Sequence, residues 1–307
     1  MRKVYGKVAL LLALILVISI GLTAMLGVQA PLDDSTVSVV ASIFPVYTAA
    51  LQVVGSCEGV TVTCLTSPQA GCVHDYQLSP SEMAVLTSAD VLVMNGAGAE
   101  SFLEAALEGV SSVTTIDLSA GIDIPSCEHG EDHHGHHHEE NEHLWVDPVR
   151  YAEQVRRLRD GLCEADPAHA TTYTQNAARY LEKIQEMQQE LAQVSLSFTH
   201  AVLFHESMAY VAQMLDLEAI ATLPLGEEHA ASAAELSAVA SALNGKRALF
   251  LYDSQYDALH TELTAYAHRA EILRWNTAVL PIKGVAAQDV WIQAMRQNIQ
   301  AIKEAAA

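Results

Sequence analysis

The sequence predicts an α/β protein of two lobes, each with a parallel four-stranded sheet flanked by helices, bridged by one long backbone helix. Short β-rich runs alternate with helical stretches in both halves of the 307-residue chain, which is typical of parallel sheets covered by helices. Between the halves lies an uninterrupted apolar stripe with the period of a helix. The length itself fits one large or two modest domains.

The first lobe is predicted over residues 37–165 and the second over residues 198–307. Val91 to Met94 is uniformly apolar, as a central parallel strand would be, whereas the run from Val60 to Leu65 alternates like a half-exposed strand. The predicted strands are 37–43, 60–65, 91–95, 113–116, 200–204, 218–223, 248–252 and 271–275. The predicted helices are 45–54, 79–88, 101–108, 148–164, 207–216, 232–243, 256–269 and 286–304.

The linking helix is predicted over residues 166–197. Apolar or aromatic residues recur from Tyr173 to Val194 at alternating spacings of four and three, without Gly or Pro. Asp166 can cap this helix, and Pro167 suits its first position. About 30 residues would give a helix of about 45 Å.

Residues 1–30 have the character of a targeting segment. Arg2, Lys3 and Lys7 precede a charge-free run over residues 8–28, and Val28-Gln29-Ala30 resembles a small-residue cleavage site. A secretory signal is expected, with an uncleaved anchor as the alternative because the run is long enough to span a bilayer. The protein is therefore expected to be exported, to a periplasmic or other extracytoplasmic place.

The composition is strongly acidic. The formal net charge is −21, which argues against nucleic-acid binding because phosphates need a basic face. An exported protein can form disulfides, but this chain has five cysteines, so at least one cannot pair within the chain. Which cysteines pair stays open. The cysteines are Cys57, Cys64, Cys72, Cys127 and Cys163.

Three histidines fall at predicted strand ends: His74, His143 and His205. Ligands of parallel sheets bind beyond the carboxyl ends of the strands, and a two-lobed protein has its natural site between the lobes. Imidazole suits Zn²⁺, so these residues are candidate metal ligands. Neighbouring carboxylates that can orient the rings are Asp75, Glu142 and Glu206.

Residues 128–142 form a second histidine cluster, which is polar and of low complexity and is expected to be a disordered loop. Because the segment is internal, it is not a purification tag. We expect weak, multivalent metal capture that feeds the nearby site, with a merely solvated loop as the alternative. The accessory candidates are His129, His133, His134, His136, His137, His138, Glu139 and Glu140.

Several motifs together resemble a known family, the metal-specific substrate-binding proteins of bacterial zinc and manganese ABC importers (cluster A-I solute-binding proteins). The resemblance covers nearly all of the chain after residue 30. The matching motifs are Ala41-Ser42-Ile43-Phe44-Pro45, His74-Asp75-Tyr76, His143-Leu144-Trp145-Val146-Asp147-Pro148, and Phe204-His205-Glu206 with Tyr210.

The resemblance implies two lobes joined by a rigid helix, with His74, His143 and His205 as ligands of a Zn²⁺ cargo. A histidine at the third position is similar to the zinc-type members, whereas manganese-type members tend to have a carboxylate there. The implied partners are a membrane permease and a cytoplasmic ATPase, and a monomer is expected.

The region after the last strand departs from the family pattern. The family commonly supplies an Asp followed by Pro there, but this chain has Asn276-Thr277. A water, or a carboxylate such as Glu139 or Glu140, is expected as the fourth ligand, with Asn276 orienting the water.

Other functions stay open beside zinc import: a manganese-binding importer component, a zinc buffer or adhesin without a permease, and a zinc hydrolase. Three histidines with an open fourth position also describe catalytic zinc, with Glu206 as a conceivable general base. No hydrolase motif such as H-E-x-x-H occurs, so the protein is not expected to be an enzyme.

Overall fold

Two parallel four-stranded sheets organise the computed structural model. The structure describes residues 36–67, 76–110, 112–125, 140–223, 232–254 and 271–306. Strand order is β2-β1-β3-β4 in the N-terminal sheet and β6-β5-β7-β8 in the C-terminal sheet. The predicted fold class is therefore confirmed, and each sheet with its helices is called a lobe below. The predicted targeting segment lies outside the described residues.

In the N-terminal lobe, burial follows strand position. The central strand β3 is apolar throughout, whereas the edge strand β2 alternates between half-buried and exposed residues, because an edge strand contacts the core with one face only. The elements are β1 (Val37–Ala41), α1 (Phe44–Val54), β2 (Val60–Cys64), α2 (Pro80–Thr87), β3 (Val91–Met94), α3 (Glu104–Leu107), β4 (Thr114–Asp117) and α4 (Pro148–Ala165).

The C-terminal lobe repeats this arrangement, and its central strand β7 is buried over all five residues. Its elements are β5 (His200–Leu203), α6 (Met208–Met214), β6 (Glu218–Thr222), α7 (Ala233–Leu243), β7 (Leu249–Asp253), β8 (Glu271–Trp275) and α8 (Val290–Ala306), with α5 as the linking helix between the lobes. The helix predicted at 256–269 lies outside the described residues.

The linking helix α5 spans Ala170–Leu191 and is shorter than predicted. Its 22 residues give a length of about 33 Å. A 3₁₀ turn, Pro167–His169, precedes it, and the carboxylate of Asp166 accepts hydrogen bonds from His169 and Tyr173 instead of capping the helix. The stripe from Tyr173 to Leu191 is buried as predicted, but Val194 lies beyond the helix end.

One hydrophobic core runs through both lobes. It includes Val39 of β1, Ile184 of α5, and Leu203 of β5. At its centre, the ring of Tyr151 stacks on Trp291 with centroids 4.3 Å apart. Because tightly packed interiors transmit displacements rather than absorb them, this continuous core opposes a wide hinge opening between the lobes.

The described cysteines are all thiols: Cys57, Cys64 and Cys163. Burial raises the pKa of Cys64 to about 12. Cys72 and Cys127 lie outside the described residues, so the pairing stays open. Within the described ranges, no helix has both the length and the apolar character needed to cross a bilayer.

A buried carboxylate, Glu100, joins the carboxyl ends of β1 and β3. It accepts hydrogen bonds from the Ser42 hydroxyl at 2.6 Å, from the Asn95 backbone N–H at 2.7 Å and from the Gly96 backbone N–H at 3.0 Å. Burial outweighs these bonds and raises the pKa of Glu100 to about 7. The folded state therefore binds a proton at Glu100 more readily than the unfolded chain does.

The raised pKa of Glu100 predicts that the stability of the protein depends on pH. The contribution of Glu100 to the free energy of unfolding is fully present below the ordinary pKa of a glutamate and is lost as the pH rises through about 7. Between about pH 5 and pH 8 it should remove about 2 kcal/mol of unfolding free energy. Urea denaturation of the metal-free Glu100→Gln variant should show a flatter pH profile than wild type. The control is Glu104→Gln on α3, and parallel profiles for Glu100→Gln and wild type would contradict the assignment.

Candidate metal site

Two histidines from different lobes meet beyond the strand ends. His205 follows β5, and His143 precedes a 3₁₀ turn, Leu144–Val146, that leads into α4. Their ring centroids lie 4.9 Å apart with the ring planes at 89°. Both residues are buried, at 4% and 9% exposure, so water competes little for their ring nitrogens.

Local sequence chemistry fixes the turn that carries His143. The carboxylate of Asp147 accepts the backbone N–H of Val149 as an N-cap, and Pro148 takes the first position of α4. Trp145 is buried in the turn, and its indole N–H donates to the Thr277 carbonyl of the other lobe at 2.9 Å. The helix start and the tryptophan together hold His143 against the C-terminal lobe.

Glu206 completes a group of three potential ligands. Ligand atoms of His143, His205 and Glu206 all lie within 4.8 Å of one another. With bonds of about 2.0–2.2 Å, ligands around a tetrahedral Zn²⁺ lie about 3.4 Å apart. A small adjustment of these side chains would therefore let all three reach one ion.

Hydrogen bonds orient both rings, but from partners that the sequence analysis did not identify. Nδ1 of His143 lies 3.1 Å from Oδ1 of Asn141, and Nδ1 of His205 lies 2.7 Å from the Ser207 hydroxyl. The expected partner Glu142 lies 3.9 Å from His143 Nδ1, beyond hydrogen-bond range. Glu206, expected as the partner of His205, lies 4.0 Å from Nδ1 of His143 in the other lobe.

Local backbone geometry explains why Asn141 and Ser207 are the hydrogen-bond partners of the two rings. Short Asn and Ser side chains form hydrogen bonds with groups two residues away along a turn. A polar Asn or Ser two positions from each histidine was the available sequence signal. Glu206, expected to orient its neighbour His205, lies in the group of potential ligands, and its orienting role stays a prediction.

Pro125 and Asn141, which stand on either side of the histidines 129–138 in the sequence, meet beside this site. The backbone N–H of Asn141 donates to the Pro125 carbonyl at 3.2 Å. The chain before the histidines and the chain after them are therefore in contact at Asn141, two residues before His143. Glu140 is exposed. The other accessory candidates, His129 to Glu139, lie outside the described residues.

Two further residues were predicted to belong to the site, His74 and Asn276. His74 lies outside the described residues, as does its neighbour Asp75. Asn276 accepts the Ala278 backbone N–H at 2.9 Å and donates to Gln297 at 3.1 Å, so its amide is engaged within its own lobe. Its role in orienting a metal-bound water stays a prediction.

Comparison with known proteins adds family-level information. A family model described as ZnuA, zinc-uptake complex component A periplasmic, matches residues 39–305. The chain is 26% identical over 290 residues to the zinc-binding lipoprotein AdcA of Streptococcus pneumoniae, covering 88% of this chain and 56% of that protein. It is 32% identical over 116 residues to the manganese-binding lipoprotein MntA of Halalkalibacterium halodurans, covering 38% of this chain and 36% of that protein.

The match thus covers about half the length of AdcA and about a third of the length of MntA. Among solved structures, a crystal structure of ZnuA superposes with a TM-score of 0.69 at 24% identity. That match covers 89% of this chain and 100% of the other. At this level of identity the likeness supports the fold.

Proposed function

The chain belongs to the ZnuA family of zinc-uptake components, as its motifs indicated, and we propose that it captures Zn²⁺ outside the cytoplasm and delivers it to an ABC importer. One observation carries this proposal: two imidazoles from different lobes and one carboxylate lie within 4.8 Å of one another. The proposed partners are a membrane permease and a cytoplasmic ATPase. Members of this family are solute-binding transport proteins rather than enzymes.

The ligand chemistry favours zinc over manganese. The described residues supply two imidazole nitrogens and one carboxylate oxygen, and His74 is proposed as a third nitrogen. Imidazole suits Zn²⁺, whereas Mn²⁺ prefers carboxylate, carbonyl and water oxygens. Glu206 is proposed as the fourth ligand, in place of the Asp that the family commonly supplies after the last strand and of the water, Glu139 or Glu140 expected from the sequence, so the proposed set is three imidazoles and one carboxylate.

Charge and packing support a carrier. The formal charge of −21 attracts cations to the protein. The continuous core opposes wide opening of the lobes, so release is proposed to come from movement of the short segments that carry the ligands, 141–146 and 205–207. A role for Glu206 as ligand also removes it as the general base of a hydrolase.

Alanine variants of the two described histidines test the proposal. Calorimetric titration of metal-free wild type should give one tight zinc site that Mn²⁺ does not displace at equal concentration. His143→Ala and His205→Ala should each abolish that site, because each removes a nitrogen that is proposed to bind the ion directly. His200→Ala is the matched control, since His200 begins the strand that His205 follows.

Three results of these titrations and assays would contradict the proposed function. Unchanged zinc affinity in both histidine variants would refute the site. Stronger binding of Mn²⁺ than of Zn²⁺ would move the proposal to a manganese importer component, and turnover of an ester or phosphate substrate by the zinc form would favour a hydrolase.

Glu206→Gln tests the proposed carboxylate ligand separately. The amide keeps the shape of the side chain but loses the negative charge, so zinc affinity should fall by about tenfold or more. Glu218→Gln on β6 is the matched control because Glu218 is exposed in the same lobe. Equal zinc affinities of Glu206→Gln and wild type would contradict Glu206 as a ligand and indicate that water is the fourth ligand of the ion.

The histidine-rich segment is proposed to collect zinc for this site, because the chain on either side of it meets at Pro125 and Asn141, two residues before His143, and a short tether raises the effective concentration. Changing its six histidines, His129 to His138, to Gln should lower the number of zinc ions bound and leave one tight site. A control that neutralises Glu128, Glu131 and Asp132 keeps the imidazoles. Loss of the tight site in the Gln variant would contradict an accessory role.

A further inference from the structure

We propose that Asn141 is the positioning residue of the metal site: it fixes the His143 ring so that Nε2 carries the lone pair, and it ties that ring to the loop bearing Glu206. The inference rests on the proposed function, because the metal concerned is the proposed zinc ion. It goes beyond that function by assigning a role to a residue outside the ligand set.

The orientation of the Asn141 amide follows from two contacts with fixed roles. The backbone N–H of His143 can only donate, and it lies 3.2 Å from Oδ1. The carbonyl of Glu206 can only accept, and it lies 2.9 Å from Nδ2. Exchanging the amide atoms would set donor against donor and acceptor against acceptor, so the oxygen faces His143.

The tautomer of His143 follows from this orientation. Oδ1 of Asn141 is an acceptor, and it lies 3.1 Å from Nδ1 of His143. Nδ1 must therefore carry the hydrogen, and the neutral ring has its lone pair on Nε2. A metal ligand of this kind is held in the required tautomer by the hydrogen bond of its other nitrogen.

Asn141 is also tied into both lobes through its backbone. Its N–H donates to Pro125 of the N-terminal lobe, and its carbonyl accepts from the Tyr210 hydroxyl of the C-terminal lobe. The residue is 2% exposed, so removing the amide takes away hydrogen bonds that are made in a buried environment. A shift of the Glu206 loop would thus be passed directly to the His143 ring.

Three variants separate positioning from general stability. Asn141→Ala removes both amide contacts, and zinc affinity should fall about 10–100-fold, as is usual when a partner of a metal-bound histidine is lost. Asn141→Asp keeps an acceptor for Nδ1–H but loses the donor to Glu206, so it should bind zinc more tightly than Asn141→Ala. Asn176→Ala is the matched control, since Asn176 ties α5 to α1 by bonds to Val53 and Val54.

Nitrogen-15 NMR of the metal-free proteins reads the tautomer directly, at about pH 8, above the reference pKa of histidine. The signals of His143 are assigned by their loss in His143→Gln. Wild type and Asn141→Asp should show the Nδ1–H form, and Asn141→Ala should show increased Nε2–H form. Asn176→Ala should match wild type in tautomer and zinc affinity, even where its unfolding free energy falls.

An Nε2–H ring in wild type, or an Asn141→Ala variant that matches wild type in tautomer and zinc affinity, would overturn the inference and leave the proposed function intact. Absence of tight zinc binding in wild type would instead overturn the proposed function, and with it the zinc role of Asn141.

Discussion

The meeting of His143 and His205 across the two lobes is the contact on which the proposed metal site depends. Neither lobe supplies the described ligands alone, because His143 precedes α4 whereas His205 and Glu206 follow β5. The rings stay 4.9 Å apart because a continuous core fixes the lobes relative to each other. The indole of Trp145 adds a hydrogen bond across the same boundary.

Sequence patterns predicted the fold well where burial has a simple period. The apolar β3 and the buried stripe of α5 follow from one-dimensional periodicity, since each contacts the core in a regular way. The predicted start of α5 was wrong because Asp166 accepts hydrogen bonds from His169 and Tyr173, a local arrangement that capping preferences do not distinguish. The helix therefore begins only after a 3₁₀ turn.

The candidate site was predictable in part. Position in strand-end loops indicated His143 and His205 as neighbours, because the ligands of a two-lobed α/β protein bind in the cleft between the lobes, beyond the carboxyl ends of the strands. The partners of their rings, Asn141 and Ser207, depend on turn geometry. The position of Glu206 near His143 depends on how the two lobes pack, and no spacing along the chain encodes that distance.

X-ray absorption at the zinc edge of the loaded wild-type protein tests the central claim most directly. We expect nitrogen and oxygen neighbours of the zinc ion at about 2.0–2.1 Å, with the multiple-scattering signal of at least two imidazoles and no sulfur. A shell containing thiolate sulfur, or oxygen atoms with fewer than two imidazoles, would contradict capture of zinc by His143 and His205.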